Sequence, residues 1–141
     1  MVVMSLDPKR AGSIINSTFF YFWFCTQGNC RNIAGPDIDS MPSGILTGSE
    51  LDKLDRQFDL LMVDLKANSK RRIYEYKTGT VEYDEFYPSR SKPFVDEIDR
   101  TLSAHFLLDR FEADYIINYD IKYRMGQGDG DVPDESEDGD E

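Results

Sequence analysis

The chain has 141 residues, with 16 Lys and Arg against 27 Asp and Glu, two cysteines and a formal charge of −11. This length suits one ordinary domain with a real core and is too short for two. Two cysteines cannot build a disulfide framework, and no run approaches the roughly 18 to 20 apolar residues of a membrane-spanning helix.

The negative charge is unevenly placed. Residues 126–141 hold Asp129, Asp131, Asp134, Glu135, Glu137, Asp138, Asp140 and Glu141 with no Lys or Arg, so the tail carries −8. The remaining 19 acidic and 16 basic residues leave residues 1–125 at −3. A nucleic-acid mimic needs carboxylates over its folded surface, which a nearly balanced body does not supply. A solvated acidic tail is expected, disordered or ordered by a partner. Lys9 and Arg10 precede the run Phe19 to Phe24, but no small-x-small cleavage pattern follows it. The expected setting is therefore not secreted, either cytoplasmic or within a virus particle, with free thiols.

In chain order, Asp7 and Pro8 form an N-cap and first-turn pair that would start a helix running toward Cys25. The stretch Thr18 to Cys25 is rich in β-formers, so 14–25 reads as helix or strand, buried in either case. Residues 28–48 contain Gly28, Gly35, Pro36, Pro42, Gly44 and Gly48 and read as a long loop. Thr47 stands three before Glu50, a capping-box spacing, and Leu51, Leu54, Phe58, Leu61, Met62 and Leu65 recur at helical period. That helix should end near Asn68, which tolerates a left-handed terminal position.

A hairpin is expected from Arg72–Lys77 and Thr80–Phe86 across Thr78 and Gly79. This register sets Tyr76 opposite Val81, Tyr74 opposite Tyr83, and Glu75 opposite Glu82. Pro93 then marks a first helical turn followed by Asp96 and Glu97. Phe94, Val95, Ile98, Leu102, Phe106 and Phe111 make its buried stripe. From Asp114 the period becomes two: Tyr115, Ile117, Tyr119, Ile121 and Tyr123 alternate with polar residues, which predicts a final strand. The expected fold class is α+β: a small single domain with an amphipathic helix, a β-hairpin, a second helix and a final strand, followed by the acidic tail.

The most specific catalytic pattern is Asp64 followed by Glu75-Tyr76-Lys77. It resembles the core of the PD-(D/E)xK nuclease superfamily over about sixteen residues. The resemblance implies that Asp64 and Glu75 hold Mg²⁺ or Mn²⁺ and that Lys77 positions a water. Residues i and i+2 of a strand share a face, so Glu75 and Lys77 could meet one phosphate. Glu82, opposite Glu75 in the expected register, would join a cation site of Asp64, Glu75 and Glu82. The basic run Lys66, Lys70, Arg71, Arg72 and Lys77 could contact a nucleic-acid backbone. Asp64-Leu65-Lys66 and Asp120-Ile121-Lys122 share the acidic-x-Lys spacing, and the stripe from Leu51 to Leu65 places Asp64 on a helix rather than a strand.

Cys25, Cys30 and His105 fall one ligand short of a closed zinc site, so His105 is expected to be packed and hydrogen-bonded. The aromatic run Phe19 to Phe24 is expected in the core rather than on a partner or a membrane surface. Gly126 to Asp131 lacks the ligand spacing of a calcium loop. The leading expectation is a non-catalytic protein–protein interaction protein without a cofactor, its acidic tail engaging the basic surface of a protein partner. Candidate roles are an inhibitor, a neutralising or anti-defence protein, or a subunit of a homo-oligomer or larger assembly such as a virus particle. The metal-dependent nuclease is the alternative.

Overall fold

The computed structural model describes residues 7–28, 31–42 and 46–125. The acidic tail, the Gly126 to Asp131 segment, Cys30 and Gly44 lie outside them. The expected α+β class holds: a small single domain of helices carrying a two-stranded antiparallel hairpin.

The N-terminal third is helical. Asp7 caps α1 (Pro8–Ile15) by accepting from the Lys9 N–H at 3.0 Å. Ser17, in an extended conformation, starts α2 (Thr18–Gln27), its Oγ accepting from the Phe20 N–H at 3.1 Å. The β-forming aromatics of 18–25 are thus helical. Phe19, Phe20 and Phe24 are buried, and the interior they enter outweighs local strand preference. The expected loop 28–48 contains a short helix, α3 (Gly35–Ser40), and its Met41 and Leu46 reach the core.

The long helix α4 (Gly48–Ala67) begins at Thr47, where the Glu50 carboxylate takes the Thr47 N–H at 2.7 Å. It ends as expected at Asn68, but with φ −98° rather than left-handed. Helix α1 lies so close to α4 that a Cβ at Gly12 would sit 2.6 Å from the Phe58 ring, and Ser13 donates to the Leu54 carbonyl at 2.9 Å. Helix α5 (Lys92–His105) closes the core. Leu54, Leu61, Ile98 and Leu102 are at most 2% exposed and pack with Ile14, Phe20 and Phe24.

The hairpin consists of β1 (Lys70–Tyr76) and β2 (Gly79–Glu85), joined by Lys77 and Thr78. Its register differs by two residues from the expected one: Tyr76 pairs with Gly79, Tyr74 with Val81, Glu75 with Thr80 and Glu82 with Ile73. An even slip keeps every side chain on its expected face, and it removes the Glu75–Glu82 opposition.

The predicted final strand is corrected to helix. Asp109 caps α6 (Arg110–Ile117), accepting from the N–H groups of Phe111 (2.8 Å) and Glu112 (2.9 Å). Glu112 closes the box on the Asp109 N–H at 2.9 Å. Asp120, left-handed at φ 52°, separates α6 from α7 (Ile121–Arg124). The alternation that imitated a strand thereby breaks into separate helical turns. Phe111, expected in the buried stripe, is 83% exposed, because α5 ends at Phe106 and a new helix begins.

Leu107, with φ 55°, terminates α5 in a Schellman arrangement, its N–H on the Ala104 carbonyl and the Leu108 N–H on the Ser103 carbonyl. Its side chain is 90% exposed and contributes little packing. Leu107→Gly is expected to stabilise the protein by about 0.5 to 1 kcal/mol, because glycine takes this conformation without Cβ strain. Urea titration of both proteins measures it; equal or lower stability of the variant contradicts the assignment.

Candidate functional site

The residues of the nuclease pattern do not sit on neighbouring strands. Asp64 lies in the last turn of α4, where its Oδ2 accepts from Ser91 Oγ at 2.6 Å and ties that turn to the start of α5. Glu75 is five residues along β1 from Lys70, roughly 16 Å at the strand rise. Lys77 is in the loop, so it does not share a strand face with Glu75. Glu82 pairs with Arg71 at 2.8 Å. Among the described residues, no three His, Cys, Asp or Glu side chains are grouped to hold a metal ion. Of the basic run, Arg71 is held between Glu82 and Asp84, Arg72 pairs with Glu85 at 2.8 Å, and Lys70 lies over the Tyr87 ring.

These pairs order the hairpin. Arg71 bridges two carboxylates of β2 at 2.8 and 3.0 Å. Glu85 accepts from the Tyr87 hydroxyl at 2.5 Å and from Arg72, and these bonds, the hydroxyl's first, hold its carboxyl below the usual range. On the face of Arg72 and Glu85, opposite that of Arg71, the Tyr74 and Tyr83 rings stack with centroids 5.9 Å apart, as diagonal rather than opposed neighbours. The hairpin is therefore made by its own cross-strand pairs. Both faces are open: of the fourteen strand residues only Arg72 and Glu85 are half-buried. Tyr74, Tyr76, Val81 and Tyr83 form one exposed face at 43 to 61% exposure, and Ile73, on the opposite face, is 59% exposed.

A second constellation lies inside. Asp99 on α5 is fully buried; its Oδ1 accepts from the backbone N–H groups of Thr18 (2.7 Å) and Phe19 (3.4 Å) at the start of α2. Its Oδ2 has no partner among the described residues. Arg124 of α7 donates to Thr18 Oγ1 at 2.6 Å and covers the Tyr21 ring at 4.7 Å, and Tyr21 in turn donates to Asp120 at 3.3 Å. Burial pushes the Tyr21 hydroxyl up to about 12, the neighbouring Cys25 adding to the effect. Arg124 also borders a cavity of about 580 Å³ with apolar walls that include Phe20, Phe24, Leu61, Leu65 and Val95. Asp99 had a sequence signal, since it falls between Val95 and Leu102 at the spacing of the buried stripe. Arg124 had none.

His105 is packed and hydrogen-bonded as expected, its Nδ1 3.1 Å from Glu50 Oε1. Ser103 donates to the Asp99 carbonyl and does not use His105. None of the described helices is long and apolar enough to cross a membrane. Comparison with family models, with curated proteins and with solved structures returns no match.

Burial pushes the Asp99 carboxyl from 3.8 up to about 6, against the opposing pull of the Thr18 and Phe19 bonds and of Arg124. A carboxyl raised in the folded state contributes stability that is complete below about pH 4 and lost as pH rises through about 6. The full difference is on the order of 3 kcal/mol. Asp99→Asn, which cannot ionise, should gain stability relative to wild type by up to that amount between pH 4 and pH 7. Urea midpoints of both proteins across this range test it, and a stability difference independent of pH would refute the raised Asp99 carboxyl in the fold.

Proposed function

We propose that the protein is a non-catalytic protein–protein interaction protein: an inhibitor, a neutralising protein or a subunit of a larger assembly. The observation that carries the reading is the hairpin, whose aromatic face Tyr74, Tyr76, Val81 and Tyr83 is exposed, with no other described element packed on it. A two-stranded ribbon gains little from burial by itself, and aromatic side chains in the open are the kind that anchor partner contacts. The acidic tail adds a second, electrostatic contact with a basic surface of the same partner, speeding encounter and weakening with salt. That Asp64, Glu75 and Glu82 are not grouped to hold a metal ion among the described residues favours this reading over a metal-dependent nuclease.

A photo-crosslinking residue at position 83 is expected to capture a protein partner in the native host, and mass spectrometry then identifies it. With that partner purified, Val81→Ser combined with Tyr83→Ser should weaken binding at least about tenfold, equivalent to roughly 1.4 kcal/mol. Removal of residues 126–141 should weaken binding and flatten its salt dependence while the fold persists. Unchanged binding by both altered proteins contradicts the proposal. So does Mg²⁺- or Mn²⁺-dependent cleavage of DNA or RNA by wild type that Glu75→Ala abolishes.

A further inference from the structure

We infer that the outer edge of β1 pairs with the same edge of a second copy of this chain, joining two hairpins into a four-stranded antiparallel sheet. This goes beyond the reading above, because it uses the backbone edge of the hairpin and not its aromatic face. The argument begins at the loop. With two residues between them, Tyr76 and Gly79 form the hydrogen-bonded closing pair, and such pairs then alternate along the ladder. The backbone groups of Tyr76, Tyr74, Arg72 and Lys70 are directed at β2. Those of Glu75, Ile73 and Arg71 are directed outward, toward an edge that no other strand of the described residues occupies.

The residues on that edge are complementary to themselves. Two β1 strands laid antiparallel about a two-fold axis at Ile73 bring the three outward residues of one copy onto the three outward residues of the other. In that register Arg71 faces Glu75 of the second copy, twice, and Ile73 faces Ile73. On the opposite face Arg72 meets Tyr74 and Lys70 meets Tyr76, cation and aromatic neighbours in each case. Glu75, opposite Thr80 in its own hairpin, has no ion-pair partner among the described residues. Arg71 keeps Glu82 and Asp84 on its inner side and presents its outer side to Glu75 of the second copy.

The alternatives are worse on charge. Moving the axis to Arg72 sets Arg72 against Arg72, and moving it to Tyr74 sets Arg71 against Lys77. The β2 edge carries Glu82, Asp84 and Glu85 and no basic residue, so its self-pairing about Glu82 opposes like charges. Pairing β1 with β2 of another copy leaves a free edge at each end and leads to open chains. Of these pairings, only that of β1 about Ile73 both closes with two-fold symmetry and opposes no like charges.

The experiment uses the full chain. Sedimentation equilibrium up to roughly millimolar concentration, where even a weak contact is populated, should give a dimer. Ile73→Pro removes one outward N–H and leaves every bond to β2 in place, and Glu75→Arg sets two arginines against Arg71; both should sediment as monomers. Ring-current shifts of Tyr74 and Tyr83 report that the hairpin persists in each variant. Ile73→Cys, a milder change, should oxidise to a dimer whose 73–73 disulfide is identified by peptide mass spectrometry, since facing hydrogen-bonded residues lie within disulfide reach. A monomeric wild type, a dimer indifferent to both Ile73→Pro and Glu75→Arg, or no 73–73 link would each overturn the pairing. Val81→Ser alone lies away from this edge and outside the Tyr74–Tyr83 stack and should leave the dimer intact, which separates this test from that of the aromatic face.

Discussion

The buried carboxylate of Asp99 sets the arrangement of the helical body. It stands where the first backbone N–H groups of α2 need acceptors, and it takes two of them from inside the core rather than from solvent. Placing α2 on Asp99 fixes the start of that helix against the middle of α5, and so directs Phe20 and Phe24 into the space between α4 and α5. The same start receives α7, because Thr18, whose N–H is bound by Asp99, accepts from Arg124 through its hydroxyl. One carboxyl oxygen, Oδ2, is left without a partner among the described residues. The helix N-terminus and the nearby guanidinium partly offset its desolvation, which explains why the carboxyl is raised and not driven neutral at every pH.

The hairpin is held together by different means. Its order comes from paired charges across the ladder and from one stacked tyrosine pair, all within its own two strands. Such contacts define a shape without hiding apolar surface, so the ribbon keeps its aromatic face exposed, and no other strand of the described residues pairs with either edge. Asp64, bonded to Ser91, anchors the connection between α4 and α5 near the base from which the ribbon projects. The body supplies stability, and the ribbon supplies surface.

Several elements were legible because their signals are local. The spacing of Thr47 and Glu50 marked the start of α4, Pro93 marked the first turn of α5, and the apolar period that follows each named the buried residues Leu54, Leu61, Ile98 and Leu102. The alternation from Tyr115 to Tyr123 misled because a period of two over a short stretch also contains i and i+4 pairs. The Asp109 and Glu112 box upstream carried the better information. The hairpin register slipped by an even step because the pattern of faces is identical in both registers, and only the loop geometry and the pairing of Arg71 with Glu82 and Asp84 tell them apart.

The acidic-x-Lys pattern shows the same limit from the side of function. Spacing along the chain placed Asp64 eleven residues before Glu75, and only the structure shows that Asp64 closes a helix and that Lys77 falls in the hairpin loop. By itself the sequence determined the near-neutral charge of residues 1–125, the mixed helix and strand class and the faces of the hairpin, since composition and short-range period are properties of the chain alone. Tertiary structure decided that the aromatic run is a helix, that Asp99 is its internal cap, and that the hairpin's aromatic face is exposed. Each of these depends on which distant backbone groups and apolar surfaces meet, and no residue carries that information about its neighbours in space.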